Sequence, residues 1–112
     1  MVDIDEILHA LAEPNRREIL RLVQDRELSS GEISSHFEVT RPAISQHLKI
    51  LTEAGLVTQR RNGTRRLYRA RPEGLAQLKD FLQGFWDDSL EKLKRAAEAE
   101  ERRNRVESSR PG

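Results

Sequence analysis

The sequence predicts a mostly α-helical domain that carries one small β-hairpin. Three observations lead there. Apolar residues recur at helical spacing in four short stretches before Gly55. Two extended runs, Leu56 to Arg61 and Thr64 to Ala70, then meet at Asn62-Gly63. That dipeptide favours a tight hairpin, because both central residues of a type I′ turn need positive φ. A long helical stretch follows, from about residue 73 to residue 103.

Each element has its own signal. Ile4, Ile7, Leu8 and Leu11 recur at i, i+3, i+4 and i+7 and mark a first amphipathic helix. Pro14 suits the first turn of a second helix, where a missing N–H is harmless. Ile19, Leu22 and Val23 give that helix an apolar face, which leaves Arg16, Arg17 and Arg21 expected outside. Ser29 and Glu32 read as a capping box opening a third short helix through Ile33 and Phe37. Thr40 caps a fourth helix with Pro42 in its first turn, and Ile44, Leu48 and Leu51 form its stripe. Gly55 ends it. Pro72 stops the second strand, and the polar residues 104–112 are expected to form a disordered tail. Residues 1–103 are thus expected to form one domain, with 73–103 as its last helix.

Composition removes several function classes. A chain of 112 residues with 36% hydrophobic content leaves room for one core. The absence of cysteine excludes disulfides, thiolate metal sites and a cysteine nucleophile. Met1-Val2-Asp3-Ile4-Asp5 has neither the basic nor the apolar region of a signal peptide. No apolar run approaches the ~18 residues of a membrane helix, so a cytoplasmic location without membrane partners is expected. The formal net charge of +1 hides an asymmetry: Arg41 to Arg71 contains eight basic residues and a single acid, Glu53. A basic middle between acidic flanks suits a polyanion.

Helix, helix, helix, helix, hairpin, long helix, with two short helices joined by a turn and an arginine-rich hairpin after them, describes a winged helix-turn-helix. On a helical wheel for residues 41–53, Pro42, Ser45, Gln46, Lys49 and Glu53 point away from the apolar stripe. Gln can bond bidentately to adenine, Ser reaches either kind of base edge, and Lys suits a phosphate. Arg41, at the helix start, reaches guanine or a phosphate. His47 lies at the border of the stripe, placed for a structural hydrogen bond or a phosphate contact. In the wing, residues 57–69, an Asn62-Gly63 turn would set Arg60 opposite Arg65. Like charges facing across strands repel, so Arg60, Arg61, Arg65 and Arg66 around one tip suggest an external anion, the DNA backbone or minor groove.

Residues 8 to 70 resemble the ArsR family of bacterial winged-helix repressors. The likeness is carried by Leu11-Ala12-Glu13-Pro14-Asn15-Arg16-Arg17-Glu18-Ile19-Leu20, by the helix from Arg41 to Leu51, by Ala54-Gly55-Leu56-Val57 and by the wing from Arg60 to Tyr68. Glu38 departs from the glycine often found before the recognition helix. The resemblance implies a homodimeric repressor that dimerises through its first and last helices. It also implies operator binding through Arg41, Ser45, Gln46, Lys49 and the wing.

Many family members sense metals, but the third helix here has no cysteine and the last helix no histidine. No metal or other cofactor is therefore expected, and the sequence names no effector. The acidic face Asp80, Asp87, Asp88 and Glu91 reads as solvated. Ser45 and His47 are neighbours two apart on one helix and point different ways, so they make no nucleophile–base pair; no enzyme is expected.

The last helix supports the dimer independently. Leu75, Leu78, Phe81, Leu82, Phe85, Trp86, Leu90 and Leu93 span roughly 180° of the wheel, where a single core-facing stripe needs about 100°. A second chain is the simplest cover. Ile4, Leu8, Leu82, Phe85, Trp86, Leu90 and Leu93 are the expected interface. The expected partners are a palindromic double-stranded DNA operator and a second copy. Rival readings are a metal- or small-molecule-responsive sensor of the same fold and a protein-interaction module with no DNA target.

Overall fold

The computed structural model describes residues 2–108. The chain runs α1 (Ile4–Leu11), α2 (Pro14–Leu22), β1 (Leu28–Ser29), α3 (Ser30–Ser34), α4 (Arg41–Glu53), β2 (Val57–Asn62), β3 (Arg65–Ala70) and α5 (Pro72–Ser108). Two compact units meet between Lys79 and Asp80, so the first turns of α5 belong to the first unit. No helix among the described residues is long and apolar enough to cross a membrane.

Local chemistry sets the helix ends. The Asp3 side chain accepts from the Asp5 N–H at the start of α1. Ser29 and Glu32 form the expected capping box: the Glu32 N–H donates to Ser29 Oγ at 3.2 Å, and the Ser29 N–H donates to Glu32 Oε1 at 3.1 Å. The Ala43 N–H donates to Thr40 Oγ1 at 3.3 Å and opens α4. At the far end of α4, Gly55 takes a φ of +73°. Its N–H donates to the Thr52 carbonyl and that of Leu56 to the Leu51 carbonyl, each at 3.0 Å. These two bonds form a Schellman motif and satisfy carbonyls the helix would otherwise leave open.

The core of the first unit gathers Ile7 and Ala10 of α1, Ile19 and Leu20 of α2, Ile33 of α3, and Ile44, Leu48 and Leu51 of α4, with Val23, Leu56 and Val57 from the connections and sheet. Each fully buried aliphatic side chain contributes about 1.5–3 kcal/mol against the conformational entropy it loses. Ile4 and Leu11 pack at its edge, while Leu8 remains exposed.

Several expectations are revised. Arg16 is buried, not outside. Its Nε donates to the Ala10 carbonyl at 2.5 Å and its Nη2 to the His9 carbonyl at 3.2 Å, while Arg17 Nη1 donates to the Leu11 carbonyl at 2.8 Å. The two arginines thus cap the last carbonyls of α1, of which that of His9 also accepts from the Ala12 N–H at 3.2 Å. The third helix ends at Ser34, short of Phe37. Residues 28–29 form an unforeseen strand against β3, completing a sheet of order β1-β3-β2. The last helix continues past residue 103 to Ser108, accompanied by ion pairs one turn apart, Arg103–Glu100 and Arg105–Glu101. The remainder of the expected tail lies outside the described residues.

The hairpin register also differs. Asn62 pairs with Arg65, so the two-residue turn is Gly63-Thr64. Only Gly63, at +67°, has positive φ there. A type II′ turn asks for positive φ at its first central position alone, which glycine supplies; type I′ would ask it of Thr64 as well. Every cross-strand partner shifts by two residues as a result.

Gly74, in the first turn of α5, lies against the Gly55 carbonyl. A Cβ there would sit 2.9 Å from the carbonyl carbon and closer still to its oxygen. Alanine favours helix over glycine by up to ~1 kcal/mol, yet the clash is with backbone that cannot swing aside. Gly74→Ala is expected to destabilise the protein by about 2–3 kcal/mol, measured as a lower urea midpoint. An unchanged or higher midpoint would show that the approach relaxes freely.

Candidate nucleic-acid interface

The buried stripe of Ile44, Leu48 and Leu51 fixes the rotation of α4. Pro42, Ser45, Gln46, Lys49 and Glu53 are all exposed on its other side, as the wheel places them, and Arg41 is exposed at the helix start. Ser45, Lys49, Thr52 and Glu53 line one wall of a cleft of about 400 Å³, and Gln59, Arg66 and Tyr68 of the hairpin line the other. A second cleft of about 360 Å³ is lined by Ser29, Ser30 and Gly31, by Arg41, and by Thr64, Arg65, Arg66 and Tyr68. Arg66 borders both. Gln59, Tyr68, Ser30 and Thr64 were not foreseen as site residues, because placing them needs the sheet register and the β1–β3 pairing.

His47 is held differently from the exposed residues of α4. Its side chain is only 16% exposed and lies 3.8 Å by Nε2 from Glu13 Oε2. Its Nδ1 is 3.4 Å from Arg16 Nη1. The ring fastens α4 to the start of α2, the structural alternative that its position at the border of the stripe allowed.

The four arginines around the wing's tip divide into two kinds. Arg61 stands directly opposite Arg66, and Gln59 opposite Tyr68, on one face of the hairpin. Arg60 pairs across with Leu67, and Arg65 with Asn62, on the other. On that second face both Arg60 and Arg65 meet a carboxylate: Arg60 Nε donates to Glu27 Oε2 at 2.6 Å, and Arg65 Nη2 to Glu32 Oε1 at 2.5 Å. The bond from Arg60 holds the Glu27 carboxyl below the usual carboxylate range. The Glu32 carboxyl is held low first by its bonds with the Ser29 backbone and side chain, and then by Arg65. Among the described residues, Arg41, Lys49, Arg61 and Arg66 have no carboxylate within ion-pair distance. The expected repulsion therefore exists, but between Arg61 and Arg66 instead of Arg60 and Arg65.

Two further surfaces bear on the site. In α5, Phe81, Leu82, Phe85, Trp86, Leu90 and Leu93 are exposed, Phe85 by 62% and Trp86 by 59%, far above what a core-facing stripe shows. His9, His36 and His47 lie on separate elements, and no three His, Asp or Glu side chains among the described residues are arranged to hold a metal ion.

Comparison with known proteins converges. Residues 13–59 match the family described as bacterial regulatory protein, arsR family. The HTH-type transcriptional regulator Rv2034 of Mycobacterium tuberculosis is 44% identical over 86 residues, 77% of this chain and 80% of that one. The transcriptional repressor SdpR of Bacillus subtilis is 35% identical over 60 residues, covering 54% of this chain and 67% of its own. Among solved structures, the homodimeric winged helix-turn-helix DNA-binding domain of Mb0332 from Mycobacterium bovis superposes with a TM-score of 0.62 at 32% identity, covering 76% of this chain and 79% of that one.

Proposed function

The chain belongs to the arsR family of bacterial regulatory proteins, and from that premise we propose that it is a homodimeric repressor reading a palindromic operator. It is a transcriptional regulator with a winged helix-turn-helix DNA-binding domain, not an enzyme. In our reading α4 enters the major groove. Ser45 and Gln46 reach base edges, Arg41 and Lys49 reach phosphates or a guanine, and Arg61 and Arg66 meet the backbone or minor groove beside it. The last helix, with α1, forms the twofold interface: Ile4 and Leu8 on α1, and Leu82, Phe85, Trp86, Leu90 and Leu93 on α5.

One observation carries this reading: Ser45, Lys49, Thr52 and Glu53 of α4 share a cleft with Arg66 of the hairpin, and among the described residues neither Lys49 nor Arg66 has a carboxylate within ion-pair distance. A solvated face with no ligand more often carries mixed charges that pair along the helix, as α5 does between Glu91 and Arg95. Arg61 facing Arg66 costs energy in isolation and is relieved by a phosphate between or beside them.

Selection of bound sequences from a random duplex pool tests the proposal. An inverted repeat is expected, with half-site centres about 10–10.5 base pairs apart or a multiple of that spacing. Recovery of a single unrepeated motif would overturn the symmetric dimer, and no enrichment at all would overturn sequence-specific binding.

A further inference from the structure

Two of the four arginines nearest the wing's tip are already occupied by the protein's own carboxylates. We propose that Glu27 and Glu32 withhold Arg60 and Arg65 from nucleic acid and so sharpen discrimination between the operator and random DNA. This rests on the DNA-binding reading above and concerns how that site is regulated.

The placement is specific. Glu27 lies in the connection leading into β1, and Glu32 lies in α3 immediately after that strand. The β1–β3 pairing brings both beside the hairpin face that bears Arg60 and Arg65. Neither pair is needed to bury charge: Arg60 and Arg65 remain more than half exposed, and exposed ion pairs add little to stability. Glu32 is also not free to swing away. Its carboxylate accepts the Ser29 N–H of the capping box while it accepts from Arg65. Both carboxyls titrate below their ordinary range, so both stay charged at neutral pH.

The consequence follows from how each class of DNA is held. On random DNA the protein has no fixed register, and any free cation near the duplex finds a phosphate. On the operator, base contacts fix the register, and only cations that match phosphate positions contribute. Two more free arginines per protomer would therefore strengthen random binding more than operator binding. Because non-specific sites vastly outnumber operators, that ratio decides occupancy. Glu27 and Glu32 work as internal phosphate substitutes for these two arginines.

The test uses the full chain with Glu27→Gln and Glu32→Gln together. Glutamine keeps the shape and is itself accepted at the N3 position of a capping box. On random duplex, the slope of log affinity against log salt is expected to steepen by about 3–4 per dimer, since four arginines are released at about 0.9 each. The operator-to-random ratio is expected to fall about tenfold or more at physiological salt. In the wild type, Arg60→Gln with Arg65→Gln should change the random-DNA slope by less than one; in the Glu27→Gln/Glu32→Gln background the same pair should restore the wild-type slope. An unchanged slope in the glutamate variant overturns the inference. So does a loss of slope of about 3–4 when the two arginines are removed from the wild type. Should the double variant fail to melt cooperatively, Glu27→Gln alone, which touches no helix cap, is expected to give half the effect, and no effect from it overturns the inference. A wild type that binds no duplex overturns the functional reading itself, whereas a wild type that binds while the variants leave slope and ratio unaltered overturns only this step.

Discussion

Trp86→Ala is expected to convert a dimer into a folded monomer and to abolish operator binding at concentrations where the wild type saturates. Trp86 is 59% exposed within its own chain, and its helical neighbours Leu82, Leu90 and Leu93 are exposed with it. An uncovered strip of that size is characteristic of an interaction surface. Truncating an aromatic buried at an interface costs ~3–5 kcal/mol, and a twofold interface loses it twice because both chains contribute the same patch. Among the described residues, the core of the first unit draws on α5 only through Leu75 and Leu78, so Ile7, Ile19, Ile44 and the rest keep their packing in the variant. A loss of affinity can then be separated from unfolding. Two recognition helices must span half-sites one turn apart, so operator binding falls far more than random-DNA binding although no DNA-facing residue has changed. Sedimentation equilibrium on both proteins decides the matter. A wild type that is monomeric at micromolar concentration, or a Trp86→Ala protein that remains a dimeric operator binder, would remove α5 from the interface.

The second large effect separates base reading from charge. Gln46→Ala is expected to cost roughly 1–3 kcal/mol per half-site on the selected operator and almost nothing on random duplex. Arg61→Ala combined with Arg66→Ala should weaken every sequence. If Arg41, Lys49, Arg61 and Arg66 each neutralise one phosphate, a dimer neutralises about eight and shows a log–log salt slope near −7. Removing the two arginines takes four charges from the dimer and should bring the slope to between about −3 and −4. Fluorescence anisotropy titrations across a salt series measure both. Equal losses on operator and random DNA for Gln46→Ala would take it out of base reading. A salt slope untouched by the loss of Arg61 and Arg66 would show that the wing does not approach the duplex.

Much of the site was legible in the chain because the signals are short-ranged. Thr40 and Pro42 announce the start of α4, and the spacing of Ile44, Leu48 and Leu51 fixes which side faces solvent. From those facts Ser45, Gln46 and Lys49 are exposed in any fold that buries the stripe. His47 shows where this reasoning stops. A residue at the edge of a stripe turns inward or outward according to what lies across from it, and here Arg16 of α2 and Glu13 just before that helix wait. Arg16 itself reads as a surface residue on the wheel, yet it is drawn inside by carbonyls at the end of the preceding helix.

The sequence by itself determined the helices, their caps, the order of elements and the orientation of the recognition helix. Each depends on residues three or four apart, or on one side chain and the backbone beside it. Only the tertiary structure decided the hairpin register, the third strand, the burial of Arg16 and the division of the wing arginines. Asn-Gly allows a type I′ turn, but Gly63 alone carries the positive φ, and Arg61 rather than Arg60 faces a like charge. The two ion pairs that neutralise one side of the wing join residues 33 positions apart in each case. No periodicity or spacing rule reaches that far, because such a contact exists only after the sheet has closed and brought β3 beside β1.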